Sequence, residues 1–281
     1  MTFTNFLRAI VLSLFIVTVT AACGPDDDRD PTDPTDVTLG ETTFVVVVNP
    51  TINDINEAPM PEPGPDRSGV DVESSTSSAQ TAEEGIAVLS PVEPGQVELG
   101  FRSDDIDATL NQSIADRDLV EVAVAVEDEE AQQMVRVVYA FGDTVVEISA
   151  DDPIDVVEDA LSASDQIVLL SEGTYTGDLD LSGSNVTLFG AGLTGGRVVI
   201  DGDITISGSD NRIRGAHIKG NLEVGGSSTG ISFSRIDGDA ELSGSDNVLL
   251  QNQFCSSITI SGGDTVALGN RGLEPLSADC D

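Results

Sequence analysis

Between residues 177 and 269, small and apolar positions return at a fixed step. Gly208, Gly226, Gly244 and Gly262 stand 18 residues apart. Three apolar columns keep that step: Ile204, Leu222, Ala240 and Ile258; Ile206, Val224, Leu242 and Ile260; Ile213, Ile231, Leu249 and Ala267. A shorter fourth runs Ile218, Ile236 and Phe254. Leu179 and Leu181 precede the first two columns by 25, and the excess falls in a Gly-rich stretch from Gly190 to Gly196. A period shared by glycines and inward-facing apolar residues predicts a solenoid, each unit burying its apolar face against its neighbours.

The segments inside each unit alternate with period two, as in Ile204-Thr205-Ile206, Leu222-Glu223-Val224 and Ile258-Thr259-Ile260. They predict half-buried strands, and no unit carries a helical 3.6 period. The glycine after each triplet is expected to turn a corner with φ > 0, and Asn185, Asn211 and Asn247 to do the same or to bond neighbouring backbone. Ile206, Ile213 and Ile218 are spaced seven and five apart rather than six, which favours a right-handed parallel β-helix over a left-handed hexapeptide one.

Upstream the pattern changes. Residues 42–142 show short apolar or alternating runs at 44–48, 68–72, 86–89, 96–101, 120–126 and 134–139, broken by prolines at 59–65 and by Pro91, Pro94 and Gly95. Strands at this spacing predict a β-sandwich. Between the two regions, Asp152 is placed as an N-cap with Pro153 in the first helical position. Ile154, Val157 and Leu161 form one stripe with Asp155, Glu158 and Asp159 outward, a capping helix for the solenoid. The fold class is all-β: an N-terminal β-sandwich (42–142), then a short right-handed parallel β-helix of about five coils, capped by a short α-helix (150–281).

The beginning of the chain reads differently. Residues 1–22 hold Arg8, an apolar run over 9–19 and small residues before Cys23, the layout of a secretory signal. Thr20-Ala21-Ala22-Cys23 resembles a bacterial lipoprotein signal, with Thr20 where that family usually has Leu. The resemblance implies a lipid on Cys23, and Gly24 after it implies the outer membrane; cleavage at Ala22 leaving a free thiol is the alternative. Residues 23–41 carry Asp26, Asp27, Asp28, Asp30, Asp33 and Asp36 among prolines. So little can be buried there that a solvated tether is expected. A calcium loop would need ordered ligands and a glycine turn, which the spacing lacks.

Two further resemblances cover the folded regions. Gly69-Val-x-Val72, Thr81 and the stretch from Gly85 through Pro94-Gly95 to Leu99 resemble the carboxypeptidase regulatory-like, transthyretin-like sandwich, which implies a structural or binding module without catalytic residues. Ile154-x-x-Val157-x-x-Ala160-Leu161, then 165–175 and Asn185-Val-Thr-Leu-x-Gly190, resemble the opening of pectin-lyase-like right-handed β-helix proteins. That superfamily includes lyases, hydrolases, esterases and non-catalytic members, so it implies a fold and leaves activity open.

Charge narrows the partners. With 50 acidic against 12 basic residues the formal net charge is −38, which argues against nucleic acid and against electrostatic attraction to anionic headgroups. Five of the basic residues, Arg197, Arg212, Arg214, Lys219 and Arg235, nonetheless gather around the single histidine, His217. The 18-residue step stacks His217 with Arg235 and Lys219 with Asp237, on rungs about 4.8 Å apart. An anionic polysaccharide on this face would meet His217, Lys219 and Arg235, and a basic side chain could remove an acidic C–H proton. The alternative is a set of exposed cross-strand ion pairs, Lys219 with Asp237 and Arg235 with Asp237 or Asp239, each worth about 0–1 kcal/mol.

Paired carboxylates receive the same reading. Asp201-Gly-Asp203 and Asp237-Gly-Asp239 recur at one corner, with Lys219 and Asn221 in the same places between them, which marks a structural device more than an active site. The lone His supports no Ser-His-Asp or Cys-His arrangement, and with two Tyr and no Trp the chain offers few sugar platforms. No metal or cofactor is expected. In an exported chain Cys255 and Cys280 are expected to pair, closing a loop that stabilises by about 3 kcal/mol and holds 273–276 over the open solenoid end.

The function these readings predict is a lipid-anchored outer-membrane protein acting as a non-catalytic structural, adhesive or binding module. A polysaccharide-active enzyme using His217, Lys219, Arg235 and Asp237, or a glycan-binding module, is the alternative. Expected partners are the membrane, through the lipid, and a polysaccharide or another envelope protein.

Overall fold

A computed structural model describes residues 40–52, 68–82, 85–127, 129–140, 144–190 and 198–271. The signal segment, Cys23, the tether up to residue 39, Arg197, the Gly-rich stretch beyond Gly190, residues 273–276 and Cys280 lie outside them. Among the described residues no helix is long and apolar enough to cross a membrane.

The described residues are almost wholly β, with one helix. Its N-terminal part forms two four-stranded sheets. One runs in the order 86–89, 43–48, 119–127, 130–139, and the other in the order 78–80, 71–73, 95–102, 107–114. The first contains a parallel pair, Val45 opposite Glu121 and Val47 opposite Ala123. Strand Asp107–Ile114 pairs along its whole length with Gly95–Arg102, although the buried polar Gln112 on its inward face hid it in the sequence. The apolar residues of both sheets meet in one core that includes Phe44, Val72, Leu99, Phe101 and Val122.

The C-terminal part winds through three parallel sheets in turn. The first has seven strands, from Thr144–Ile148 to Val266–Leu268, and the second and third have five each. The register follows the sequence columns: Ile204 to Leu222 to Ala240 to Ile258, and Ile213 to Ile231 to Leu249 to Ala267. At the earlier turn Leu179 meets Ile204 and Leu181 meets Ile206, so the longer step is absorbed without a slip in register. These columns are buried, apart from the half-buried Ile258 on the last rung, and form one continuous core. The helix Ile154–Ser162 closes its beginning with Val157, Ala160 and Leu161. Its cap differs from expectation: Pro153 is the N-cap residue, without a side-chain cap hydrogen bond. The Asp152 carboxylate instead accepts from the Ser149 backbone N–H at 2.9 Å.

Two ladders along the coil explain its repeating residues. Gly208, Gly226, Gly244 and Gly262 do not adopt φ > 0, contrary to the expectation for the corner. They are required because a Cβ on each would overlap the backbone carbonyl of the glycine one rung below, Gly183, Gly208, Gly226 and Gly244 respectively. The left-handed conformation falls at Asn185, Asp210, Ser228, Asp246 and Asp264. Asn211 and Asn247 are buried, and their side-chain oxygens accept from the backbone N–H groups of Val186 and Thr229 at 2.9 and 3.0 Å. Asn252 and Asn270 do the same for Ser234 and Asn252, satisfying buried backbone donors as dry stacking demands.

The two parts share a third core. In the sheet centred on 43–48, Phe44, Val46 and Val48 face the second N-terminal sheet, while Val45 and Val47 face the coil and pack with Leu169, Phe189, Leu250 and Leu268. A strand covered on both faces is apolar throughout, and all six residues of Thr43–Val48 are buried. Beyond it, Thr51 accepts a hydrogen bond from the Gly269 N–H at 2.7 Å and Ile52 bridges to Leu268, so the N-terminal part also seals the last strand of the coil's first sheet.

The glycine ladder can be tested at neighbouring positions. Gly226→Ala should destabilise by about 2–3 kcal/mol, since a backbone carbonyl cannot rotate away as a side chain can. Gly225→Ala should be near neutral, because the nearest atoms to its added Cβ lie 3.8 and 4.0 Å away. Urea-denaturation midpoints of the two variants check this.

Candidate functional site

The basic cluster lies on the second parallel sheet. His217 is the middle residue of Ala216–Ile218, and its outward side chain is in register with Arg235 on the next rung. Ala216 and Ile218 on either side point into the core. His217 Nε2 lies 2.7 Å from Asp237 Oδ2, and Arg235 Nε donates to Asp237 Oδ1 at 2.6 Å. One carboxylate therefore receives both neighbouring basic groups. Burial pushes the Asp237 carboxyl upward, but hydrogen bonds from Arg235 and His217, with their charges, outweigh it and hold the group below its ordinary range.

Lys219 does not join them as expected. Its closest acid is Asp201, with Nζ to Oδ1 at 3.9 Å and both side chains about half exposed. The reason is competition: Arg235, two residues before Asp237 in the chain, and His217 already occupy both Asp237 oxygens. The structure thus brings His217, Arg235 and Asp237 together and sets Lys219 to one side with Asp201.

The remaining carboxylates of the corner are spent on backbone. Asp203 Oδ1 accepts from Asn221 N–H at 2.7 Å, Asn221 Oδ1 from Asp239 N–H at 3.0 Å, and Asp239 Oδ1 from Ser257 N–H at 3.2 Å. Ser256 and Ser257 hydroxyls also donate to Asp239, at 2.6 and 2.8 Å. These hydrogen bonds lower its pKa. Asp203 and Asp239 are rungs of a corner ladder rather than a facing acid–base pair.

The chemistry open to His217 is limited by access. With Nε2 on Asp237, the second nitrogen, Nδ1, is enclosed and has no hydrogen-bond partner, and the side chain is 12% exposed. A general base must reach a substrate proton within hydrogen-bond distance, and this nitrogen is turned away from solvent. A cleft of about 710 Å³ lies elsewhere, lined by Asp104, Asp105, Asp107, Glu127, Glu129 and Glu130 among others. Among the described residues of the basic cluster, none borders it. Among the described residues, no group of three or more His, Cys, Asp or Glu side chains is arranged to hold a metal ion.

Arg214 has a role that its place among the basic residues did not suggest. It is fully buried, and its Nε donates to Glu121 Oε1 at 2.6 Å across the seam between the two parts. Tyr139 donates to Glu121 Oε2 at 2.9 Å, and the Ser232 hydroxyl lies 2.7 Å from the same phenol oxygen. Burial first, then the Glu121 charge, pushes the Tyr139 phenol well above its ordinary value. A signal for this seam existed: Leu169, Phe189, Leu250 and Leu268 form an outward apolar column at the coil's register, headed by Glu147 and interrupted by Arg214 and Ser232.

Compared with known protein families, curated proteins and solved structures, the chain matches none of them.

The Asp237 cluster has a pH signature. A carboxyl held low in the folded state contributes stability above its ordinary value of 3.8, and that contribution is lost as pH falls through the lowered folded value. Asp237→Asn should therefore lower the urea midpoint at pH 7 and show a shallower loss than the parent on acidification below pH 3.8. Equal acid limbs in the two proteins would contradict the assignment.

Proposed function

We propose that this protein is a non-catalytic structural, adhesive or binding module of the cell envelope, held at the outer membrane by a lipid on Cys23. The observation that carries the non-catalytic reading is the closed arrangement of the basic cluster. Both Asp237 oxygens are taken by His217 and Arg235, and the remaining His217 nitrogen is shut in. In this reading the two N-terminal sheets form a transthyretin-like sandwich. The three parallel sheets form a pectin-lyase-like right-handed β-helix of about five coils. A Cys255–Cys280 bridge fastens the end of the chain to its last coil. The net charge of −38 suits a repulsive, soluble envelope surface.

The second reading is a glycan-binding module or an enzyme on anionic polysaccharide. It draws on the same face: His217, Arg235 and Lys219 are basic groups on a chain with only 12 Lys and Arg residues, and the hydrogen bond to Asp237 would orient the imidazole.

A screen of the fragment from residue 40 onward against anionic and neutral polysaccharides separates the readings. The structural reading expects neither depolymerisation nor saturable binding. Binding lost in Lys219→Ala would establish the glycan-binding module, and product release lost in Lys219→Ala and Arg235→Ala would establish the enzyme. For the anchor and the bridge, intact mass of protein from bacterial membranes is expected to show acylated Cys23 as the first residue. Reduction is expected to add two hydrogens. An unmodified chain starting at Cys23, or a mass insensitive to reductant, would refute the respective part.

A further inference from the structure

We propose that the recess around Arg214 is a carboxylate receptor on the face of the coil, and that Glu121 of the N-terminal part is its built-in occupant. Apart from this pair and the Tyr139 and Ser232 hydroxyls beside it, the buried cluster at the seam is apolar. Glu121 stands on a strand flanked by Val45 and Val137, both buried. Arg214 sits in a column whose other members are Leu169, Phe189, Ser232, Leu250 and Leu268, with Glu147 exposed at its outer end. A seam built only for adhesion would be apolar across this column, because an ion pair taken from water rarely gains over well-packed hydrophobic residues.

What surrounds the guanidinium is the chemistry of a binding site. Its Cζ lies 5.2 Å from the Phe189 ring centroid and 5.1 Å from that of Phe233, so aromatic groups flank the cation as in cation–π recognition. Tyr139 packs edge-on against Phe189, with centroids 5.8 Å apart and planes at 78°. Each carboxylate oxygen of Glu121 has its own donor, Arg214 Nε for one and the Tyr139 hydroxyl for the other. Ser232 holds the phenol oxygen from behind. Charge-assisted bonds in a dry site are strong and orientation-dependent, so the two parts are joined as a ligand is joined to its receptor.

The consequence is that a free carboxylate of the right size should replace the side chain once that side chain is removed. The experiment is thermal unfolding of the full chain carrying Glu121→Ala, with sodium acetate or with sodium chloride at equal ionic strength. Acetate is expected to raise the midpoint of E121A by about 2–4 °C over chloride, saturably. It should do nothing beyond chloride in the parent protein, whose recess is filled, or in E121A/R214M, whose cation is gone. Equal responses of E121A to acetate and chloride would overturn the proposal and leave the pair as core packing alone. Should E121A be recovered only as aggregate, refolding it in acetate or in chloride decides. Greater soluble recovery in acetate that R214M abolishes supports the receptor, and equal recovery refutes it.

Discussion

The constraint on which everything else rests is the direct stacking of backbone on backbone at the coil's glycine corners. With each glycine seated on the carbonyl of the glycine below, there is room for no side chain, and a coil can neither lengthen nor slip there without separating from its neighbour. Register in a β-sheet is otherwise vulnerable, because a shift of one residue turns every side chain to the wrong face. Here the glycine rungs, the buried Asn211, Asn247, Asn252 and Asn270 bonds, and the Asp203–Asn221–Asp239 corner hold three sheets in one register. The apolar columns then close into a single core.

A fixed register decides what each outward side chain can meet. On the second sheet it sets His217 beside Arg235 and brings Asp237 within reach of both. The resulting cluster is closed on itself. On the first sheet it lines up Leu169, Phe189, Leu250 and Leu268 as an apolar surface with Arg214 and Ser232 in its midst. That surface is covered by the sheet carrying Val45, Val47 and Glu121. The two parts are therefore layers of one packed structure. The doubly covered sheet is its middle layer, facing one core on each side.

The buried pair at the seam carries a different kind of information from the apolar contacts around it. Apolar packing is tolerant of rotation and sliding, whereas a guanidinium whose carboxylate partner lies across the seam, with aromatic rings flanking it, accepts one docking geometry. Burying both charges costs desolvation that only good geometry offsets, and removing one partner alone leaves an uncompensated charge. The seam thus has its own specificity, separate from the repeat that builds the coil.

The repeat, the strand triplets and their inward columns were legible in the sequence because a solenoid writes its contacts at a constant offset. Ile204 to Leu222 to Ala240 to Ile258 can be read without knowing the fold. So could the helix with its Val157 and Leu161 stripe, though not its cap, since the Asp152 side chain had a competing local donor at Ser149. The strand Asp107–Ile114 escaped because its inward face carries the small Ala108 and the polar Gln112, both buried, which break the apolar alternation. The reason for the corner glycines also escaped, since a demand for positive φ and a demand for close approach leave the same residue in the sequence. The run Phe44–Val48 held a clue in being apolar at every position, but only the tertiary structure shows what covers its second face. The partnership of Arg214 with Glu121 lies 93 residues apart in the chain, with no period to link them. Repetition along one axis made the coil readable from sequence. The contacts between its flank and the other sheet occur once, and packing alone decided them.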